Sequence, residues 1–355
     1  MHRFSGTSPF AMRFSVARIR GVLFPQTPHG HFSELDGMRG VLAVAVMLFH
    51  YGLSTMLAKI TGGALPNSNW GLCVDFFFLL SGFVLCHSLM RRSIGAGEFL
   101  WRRTLRLAPM YFVTTVLALL FVPDKFSRFE INTNLALLQP IFGTQSVNFA
   151  AWSVPLELCF PALAVTAAPL IAMMTRTFAT VALATAILLG SLACYVYQSD
   201  IDLELTRAVA GLSGGALLYY RRTHRPYVKG SAPLALSGIV GAMLIMAASG
   251  VVPALAVLFY PCAITAIWYG ADAKGIFSTR PFQAGGRWSY SIYLLHVPVL
   301  AIAQFWTRSS LQGSFLSKAA LVIAVISLAA VTYRTIELPA MKLREWPAGA
   351  LAPTA

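Results

Sequence analysis

Residues 34–51 read ELDGMRGVLAVAVMLFHY and place one arginine, Arg39, and one histidine, His50, on an otherwise apolar stretch. An α-helix turns about 100° per residue, so Arg39 and His50 lie on one face, about 16 Å apart along the axis. A helix that is apolar on every side belongs in a membrane, where an ionisable group usually faces a protein interior or a wet cavity. The stretch therefore predicts a membrane helix with a cation near one surface and a titratable base deeper in.

The composition extends this prediction to the whole chain. Of its 355 residues 57% are hydrophobic and only 11% are charged, whereas soluble domains carry about 25% charged residues. Windows of about 20 apolar residues recur from one end to the other. We predict an all-α, polytopic membrane protein with about ten transmembrane helices. The predicted spans are 35–57, 71–90, 105–122, 153–174, 178–197, 204–220, 231–249, 251–270, 288–306 and 317–336.

The basic residues predict the orientation of these spans. With the N-terminus in the cytoplasm, 21 of the 27 lysines and arginines fall on the inner side, and the other six, Arg207 among them, fall on the outer side. Positive charge favours the cytoplasmic side, and an even number of spans places both termini there. The net charge of +14 is explained by orientation and by contact with the lipid bilayer, so no nucleic-acid partner is expected.

Three polar side chains are predicted in the outer halves of their spans: His50, Asp75 and Glu157. Histidine is the usual base for taking a proton from a hydroxyl near neutral pH, and a carboxylate could hold its imidazole in one tautomer. Asp75 could instead cap the second span. We predict that the three form a catalytic site in which the carboxylates orient His50. No metal is expected, because no His, Cys and carboxylate set has ligand spacing.

Three arginines, Arg39, Arg103 and Arg106, are predicted near the inner surface. Guanidinium groups bind phosphate through two parallel hydrogen bonds. The pattern favours transfer of a group from a phosphate-rich cytoplasmic donor to an acceptor across the membrane. His296, just before Pro298, fits a structural hydrogen bond to a freed carbonyl as well as it fits catalysis, so it is not assigned to the site.

Six sequence pieces, in order, resemble the acyltransferase-3 family of integral-membrane O-acyltransferases. The resemblance covers about 34–342, between tails 1–33 and 343–355 that we expect in the cytoplasm. It includes the Arg-x₁₀-His spacing from Arg39 to His50 and the Arg-x-x-Arg motif from Arg103 to Arg106. The pieces are ELDGMRGVLAVAVMLFH (34–50), VDFFFLLSGF (74–83), FLWRRTLRLAPMY (99–111), AWSVPLE (151–157), SYSIYLLHVP (289–298) and TIELP (335–339).

The resemblance implies a multi-pass enzyme of the inner (plasma) membrane with O-acetyltransferase-like activity. It implies an acyl-CoA donor, commonly acetyl-CoA, and a carbohydrate hydroxyl as acceptor in polysaccharide, lipopolysaccharide or peptidoglycan. It also implies that His50 is essential and that the arginines bind the donor. Whether His50 is a base or a transient acyl carrier stays open. The rival hypothesis is a transporter or flippase for a glycan or lipid-linked substrate, with His50 and Asp75 as a proton relay.

Overall fold

The computed structural model describes residues 32–60, 62, 70–91, 96–121, 125–160, 162, 176–196, 204–223, 229–307 and 315–343. Within these ranges the chain is helical and contains no β-strand, which confirms the all-α fold. The predicted tails 1–33 and 343–355 lie almost wholly outside the described residues, as does most of the second half of the predicted span 153–174.

The helices follow the apolar windows of the sequence. In chain order they are α1 (Ser33–His50), α2 (Leu53–Ile60), α3 (Cys73–Arg91), α4 (Ala96–Phe121), α5 (Arg128–Leu135), α6 (Gln139–Phe142), α7 (Arg176–Val196), α8 (Glu204–Thr223), α9 (Ala232–Ala248), α10 (Phe259–Gly270), α11 (Arg280–Thr307), α12 (Phe315–Thr332) and α13 (Leu338–Lys342). A π-helical turn, Tyr333–Glu337, joins α12 to α13, a 3₁₀ turn, Pro253–Leu258, leads into α10, and residues 153–160 are helical.

Five helices in the described ranges are long and apolar enough to cross a membrane. They are Gly97–Phe121, Thr177–Val196, Pro253–Gly270, Arg280–Thr307 and Phe315–Lys342. Less than half of each apolar window is buried in the protein, and large apolar side chains such as Leu188 and Leu192 point outwards. Such surfaces suit contact with lipid. The chain is therefore a multi-pass membrane protein, while the other five predicted spans and the location of the termini stay predictions.

The first predicted span, 35–57, is broken in the structure. α1 ends at His50, and α2 begins at Leu53 after a turn in which Gly52 has a φ of +68°. Glycine adopts this left-handed conformation without the steric cost that a Cβ brings. His50 is therefore the last residue of α1, at the opposite end of the helix from Arg39.

Glycine contacts align α1 with α11. A Cβ on Gly40 would overlap the backbone of Gly286, and a Cβ on Gly286 would overlap the carbonyl group of Asp36. Small residues let membrane helices approach to backbone contact. The two helices run in the same direction, and ten residues beyond Gly40 and Gly286 the side chains of His50 and His296 meet. The helix packing thus positions the site.

Candidate active site

His50 and His296 are in direct contact. The Nε2 atom of His296 lies 3.0 Å from the Nδ1 atom of His50, and the two ring centroids are 4.9 Å apart. His296 is fully buried, whereas His50 is only partly buried. A buried imidazole therefore supports one that a small molecule can still reach.

The contacts of His50 favour one tautomer. Its Nδ1 atom also lies 3.0 Å from the carbonyl oxygen of Val46, one turn earlier. A carbonyl oxygen only accepts, so this contact favours the tautomer in which Nδ1 carries the proton, with Nε2 of His296 as a second acceptor. The lone pair of a neutral His50 is then on Nε2, which is the atom that a general base needs.

Pro298 explains why His296 is available for this contact. Proline has no N–H, so the carbonyl of Leu294, four residues earlier, loses its helical partner. The side-chain amide of Asn148 donates to this carbonyl at 2.9 Å. Asn148, and not His296, therefore provides the hydrogen bond to the carbonyl that Pro298 frees. The His296 ring contacts His50 instead.

The three predicted arginines come together around one cavity, here called the arginine cavity. Arg39 from α1 and Arg103 and Arg106 from α4 line it, with Glu157, Ser153 and Tyr293 among the other lining residues. The cavity contains about 680 Å³ of empty space, part of it open to the surroundings. Three cations and one carboxylate give it a surplus of positive charge.

The arginines of this cavity differ in their partners. Arg39 forms an ion pair of 3.0 Å with Asp36, and Arg103 forms one of 2.5 Å with Glu157. Among the described residues, no carboxylate lies within ion-pairing distance of Arg106. Its guanidinium is therefore the most available of the three for a ligand.

The structure corrects the predicted contacts of the two carboxylates with His50. Glu157 pairs with Arg103 in the arginine cavity. Asp75 receives hydrogen bonds from Arg207 on both oxygens, from Nε at 3.1 Å and from Nη2 at 2.6 Å. The pair is buried, with side chains 0% and 2% exposed. The side chain that contacts the His50 imidazole is another histidine, because both carboxylates are held by arginines.

Arg207 and His296 are the residues of this region that the sequence analysis did not assign. Arg207 was counted as an outer-side charge, although it lies inside the predicted span 204–220, where an ionisable residue is a sign of a specific role. It also lies 5.7 Å from the ring centroid of Trp152. His296 carried the same signal, because it is an ionisable residue inside the predicted span 288–306.

A second cavity, here called the loop cavity, lies beside segment 125–152. Gln139, Gln145, Ser146, Phe149 and Trp152 are among the residues that line it, and it contains about 1810 Å³ of empty space, part of it open to the surroundings. Segment 125–152 forms one wall of this cavity and contains α5, α6 and a 3₁₀ turn.

The histidine pair lies between residues of the two cavities. Tyr293 lines the arginine cavity, and its ring centroid is 6.0 Å from that of His296. Phe149 lines the loop cavity, and its ring centroid is 5.8 Å from that of His50. Val297 and Pro298, which follow His296, also line the loop cavity. The histidine pair is therefore in ring contact with one lining residue of a cationic cavity and one lining residue of a larger, mixed polar and aromatic cavity.

Metal ligands do not cluster in the described ranges. No group of three or more His, Cys, Asp or Glu side chains there could hold a metal ion.

A multi-pass protein that is helical throughout its described residues, with a partly buried histidine and a cationic cavity, fits a membrane transferase. The family model described as "Acyltransferase domain", of the acyltransferase-3 family, matches residues 32–334. The chain belongs to this family. The match includes both histidines, the arginine cavity and the loop cavity.

Two curated proteins are similar to parts of the chain. "Putative membrane-bound transacylase BcsY" of Komagataeibacter xylinus is 25% identical over 328 residues, which cover 85% of this chain and 81% of that protein. "Protein 2 in picA locus" of Rhizobium radiobacter is 40% identical over 96 residues, which cover 26% of this chain and 46% of that protein. No solved structure matches the chain significantly.

Proposed function

We propose that this protein moves an acetyl or other short acyl group from acyl-CoA to a hydroxyl of a cell-surface glycan at the inner membrane. Residues 34–342 form the catalytic unit, and 1–33 and 343–355 are cytoplasmic tails. The observation that carries this proposal is the pair of contacts that Nδ1 of His50 makes with Val46 and His296. These contacts favour a proton on Nδ1 and therefore a lone pair on Nε2. Membership of an acyltransferase family supports the class of reaction.

The arginine cavity suits the donor. Acyl-CoA carries phosphate groups at one end and the thioester at the other, joined by a long pantetheine arm. Arg106 offers its guanidinium to phosphate, and Arg39 and Arg103 add positive charge. Arg39 and His50 are about 16 Å apart along α1, so phosphates held at one end leave the arm to carry the thioester towards the histidine.

The proposed transfer is a single displacement. Nε2 of His50 takes the proton of the acceptor hydroxyl while the oxygen attacks the thioester carbonyl. The new C–O ester bond forms as the C–S bond breaks, and the departing CoA thiolate takes the proton from the imidazolium to leave as the free thiol. General-base help of this kind is worth about 10²–10⁴ in rate.

The test replaces His50 with alanine in cells that lack the native gene. We expect the surface glycan to be exported in normal amount but to lose its O-acyl groups, measured by mass spectrometry of isolated glycan. Asn132→Ala, an exposed position on α5, is the matched control and should preserve acylation. Loss of glycan export with acyl groups retained would instead identify a transporter and refute the proposal.

A second measurement separates a base from an acyl carrier. Purified protein is incubated with radiolabelled acetyl-CoA in the absence of any acceptor. A general base leaves the protein unlabelled. Label that stays on the wild-type protein and is absent from the His50→Ala variant would replace the single displacement with a two-step transfer through an acyl-imidazole.

A further inference from the structure

We propose that the loop cavity is the acceptor site and that it takes an uncharged sugar unit of the glycan. The inference deepens the proposed function and rests on it, because it gives the acceptor a place and a chemical class. The first observation is the position of the cavity. Phe149 lines it, and the ring centroid of Phe149 is 5.8 Å from that of His50.

The polar lining of the loop cavity matches sugar hydroxyls. Side-chain amides of Gln139 and Gln145 and hydroxyls of Thr144, Ser146 and Thr206 line it. Amides and hydroxyls both donate and accept hydrogen bonds, as sugar hydroxyls do. A few placed polar groups of this kind orient a ligand without attracting a charge.

Aromatic rings supply the second part of a sugar site. Phe126, Phe149 and Trp152 line the same cavity. A hexose ring is polar at its edge and presents C–H groups on its faces, so an aromatic ring can cover a face while amides and hydroxyls bind the edge. The mixture of rings and uncharged polar groups therefore suits a carbohydrate better than it suits an apolar chain.

The charges of the loop cavity favour a neutral ligand. Lys125 and Glu204 are its charged lining residues, and they have opposite signs. An anionic sugar would lose part of its hydration in this cavity, and the balanced charges of the lining would not compensate for that loss. Desolvation of an unpaired charge is costly in a partly buried site. The arginine cavity, which has such a surplus, shows what a site for an anionic ligand looks like in this protein.

The wall of the loop cavity is held in place by buried hydrogen bonds. The Tyr111 hydroxyl donates to the Asn134 carbonyl at 2.9 Å, and the Asn134 side chain bonds Gln145 and Val147. Asn148 ties the segment to α11 at Leu294. A site fixed before binding loses less entropy when the ligand arrives, so the cavity is suited to binding a sugar as it stands.

The test measures binding without turnover. Full-length His50→Ala protein in lipid nanodiscs is followed by hydrogen–deuterium exchange with maltose, cellobiose or chitobiose. Glucuronic acid and glucose 6-phosphate serve as anionic probes at the same concentration. We expect at least one neutral disaccharide to slow exchange in the peptides that cover 139–152, with weaker protection from both anionic probes.

Two variants locate the ligand. Gln145→Ala removes an amide that lines the cavity but keeps the backbone carbonyl that Asn134 uses, and Phe149→Ala removes a ring. Each should weaken binding about 2- to 10-fold, the usual effect of one lost hydrogen bond or ring contact. Asn132→Ala, on the same segment outside the cavity lining, should leave binding unchanged.

The outcomes separate this inference from the proposed function. Stronger protection by an anionic probe would overturn the neutral site, and protection elsewhere or from no disaccharide would overturn the location. Disaccharide protection of 139–152 in a protein whose wild-type form transfers no acyl group would support the sugar site while refuting the transferase function.

Discussion

The arginine cavity and the loop cavity each include an aromatic residue in ring contact with the histidine pair, but their linings differ in charge. The arginine cavity has Arg39, Arg103 and Arg106 against one carboxylate, Glu157. The loop cavity has one cation and one carboxylate among amides, hydroxyls and aromatic rings. The proposed transfer requires a charged donor and an uncharged acceptor to bind in different places, and this difference in lining charge provides a physical basis for separating them.

The buried ion pair of Asp75 and Arg207 gives the largest expected effect. Asp75→Ala would leave the Arg207 guanidinium buried without its carboxylate, at a cost of about 3–5 kcal/mol in the free energy of unfolding. Thermal unfolding in detergent measures the loss. The double variant Asp75→Leu, Arg207→Met should recover most of it, since it removes both buried charges.

Glu98→Ala is the matched control for this prediction, because it breaks the partly exposed pair with Arg102, one turn away on α4. Such pairs contribute about 0.3–0.5 kcal/mol. If Asp75→Ala protein were as stable as wild type and yet inactive, Asp75 would belong to the chemistry and not to the fold.

The arginine cavity gives the next largest effect. Arg106→Ala should raise the KM for acyl-CoA about 10- to 100-fold, because a charge-assisted hydrogen bond to phosphate is lost. Arg106→Lys should give an intermediate value, since lysine keeps the charge but not the paired geometry. The KM for the sugar acceptor should not change. Steady-state kinetics with each substrate varied in turn measures both constants.

Arg102→Ala is the control for the donor site. Arg102 is the neighbour of Arg103 on α4, pairs with Glu98 and is not part of the cavity lining. Its loss should leave both KM values near wild type. Equal effects of the two substitutions would mean that general positive charge, and not the cavity, attracts the donor.

The histidine pair gives a smaller, more diagnostic effect. His296→Ala removes the acceptor that faces Nδ1–H of His50 and should lower kcat about tenfold, with both KM values unchanged. His296→Gln offers an amide oxygen to the same N–H and should restore much of the rate. Equal losses in the two variants would reduce His296 to a packing role.

The smallest effect belongs to segment 125–152, beside the loop cavity. The backbone N–H and the hydroxyl of Ser127 donate to the Glu130 carboxylate, each at 2.8 Å, and hold the pKa of Glu130 below its ordinary value. A carboxyl with a depressed folded pKa stabilises the fold above its unfolded pKa, and this contribution is lost as the pH falls through the folded pKa.

Glu130→Gln should therefore slightly lower the Tm at about pH 7, and the difference from wild type should shrink as the pH falls through the folded pKa of Glu130 and its carboxyl becomes protonated. Differential scanning fluorimetry across this range measures the difference, with Asn132→Ala as a pH-independent control. A difference that persists at the acidic end would show that the charge of Glu130 is not the cause.

The sequence was sufficient for the helices and for the arginine cluster. Helical periodicity and apolar length are local properties, so the apolar windows correspond to helices, and the arginines near the starts of α1 and α4 meet in one cavity. The exception is the break at Gly52, where a single glycine with positive φ divides a continuous apolar window.

The partners of the polar side chains could not be predicted in the same way. Asp75 pairs with Arg207, which is 132 residues away in the sequence, and His50 contacts His296, which is 246 residues away. The spacing on one helix fixes which face a residue occupies, but the neighbour of that face depends on how distant helices pack. Here the packing depends on contacts such as Gly40 against Gly286, which have no local periodic signal.

The most direct test of the charge difference is the salt dependence of the two Michaelis constants, measured on one preparation of the wild-type protein. The Debye length falls from about 10 Å at 0.1 M salt to about 3 Å at 1 M. The KM for acyl-CoA should rise across this range, because a cationic cavity attracts the phosphates, while the KM for a neutral sugar acceptor should stay constant. Two constants that rise together, or a donor KM that does not respond to salt, would contradict the division into a cationic donor site and a neutral acceptor site.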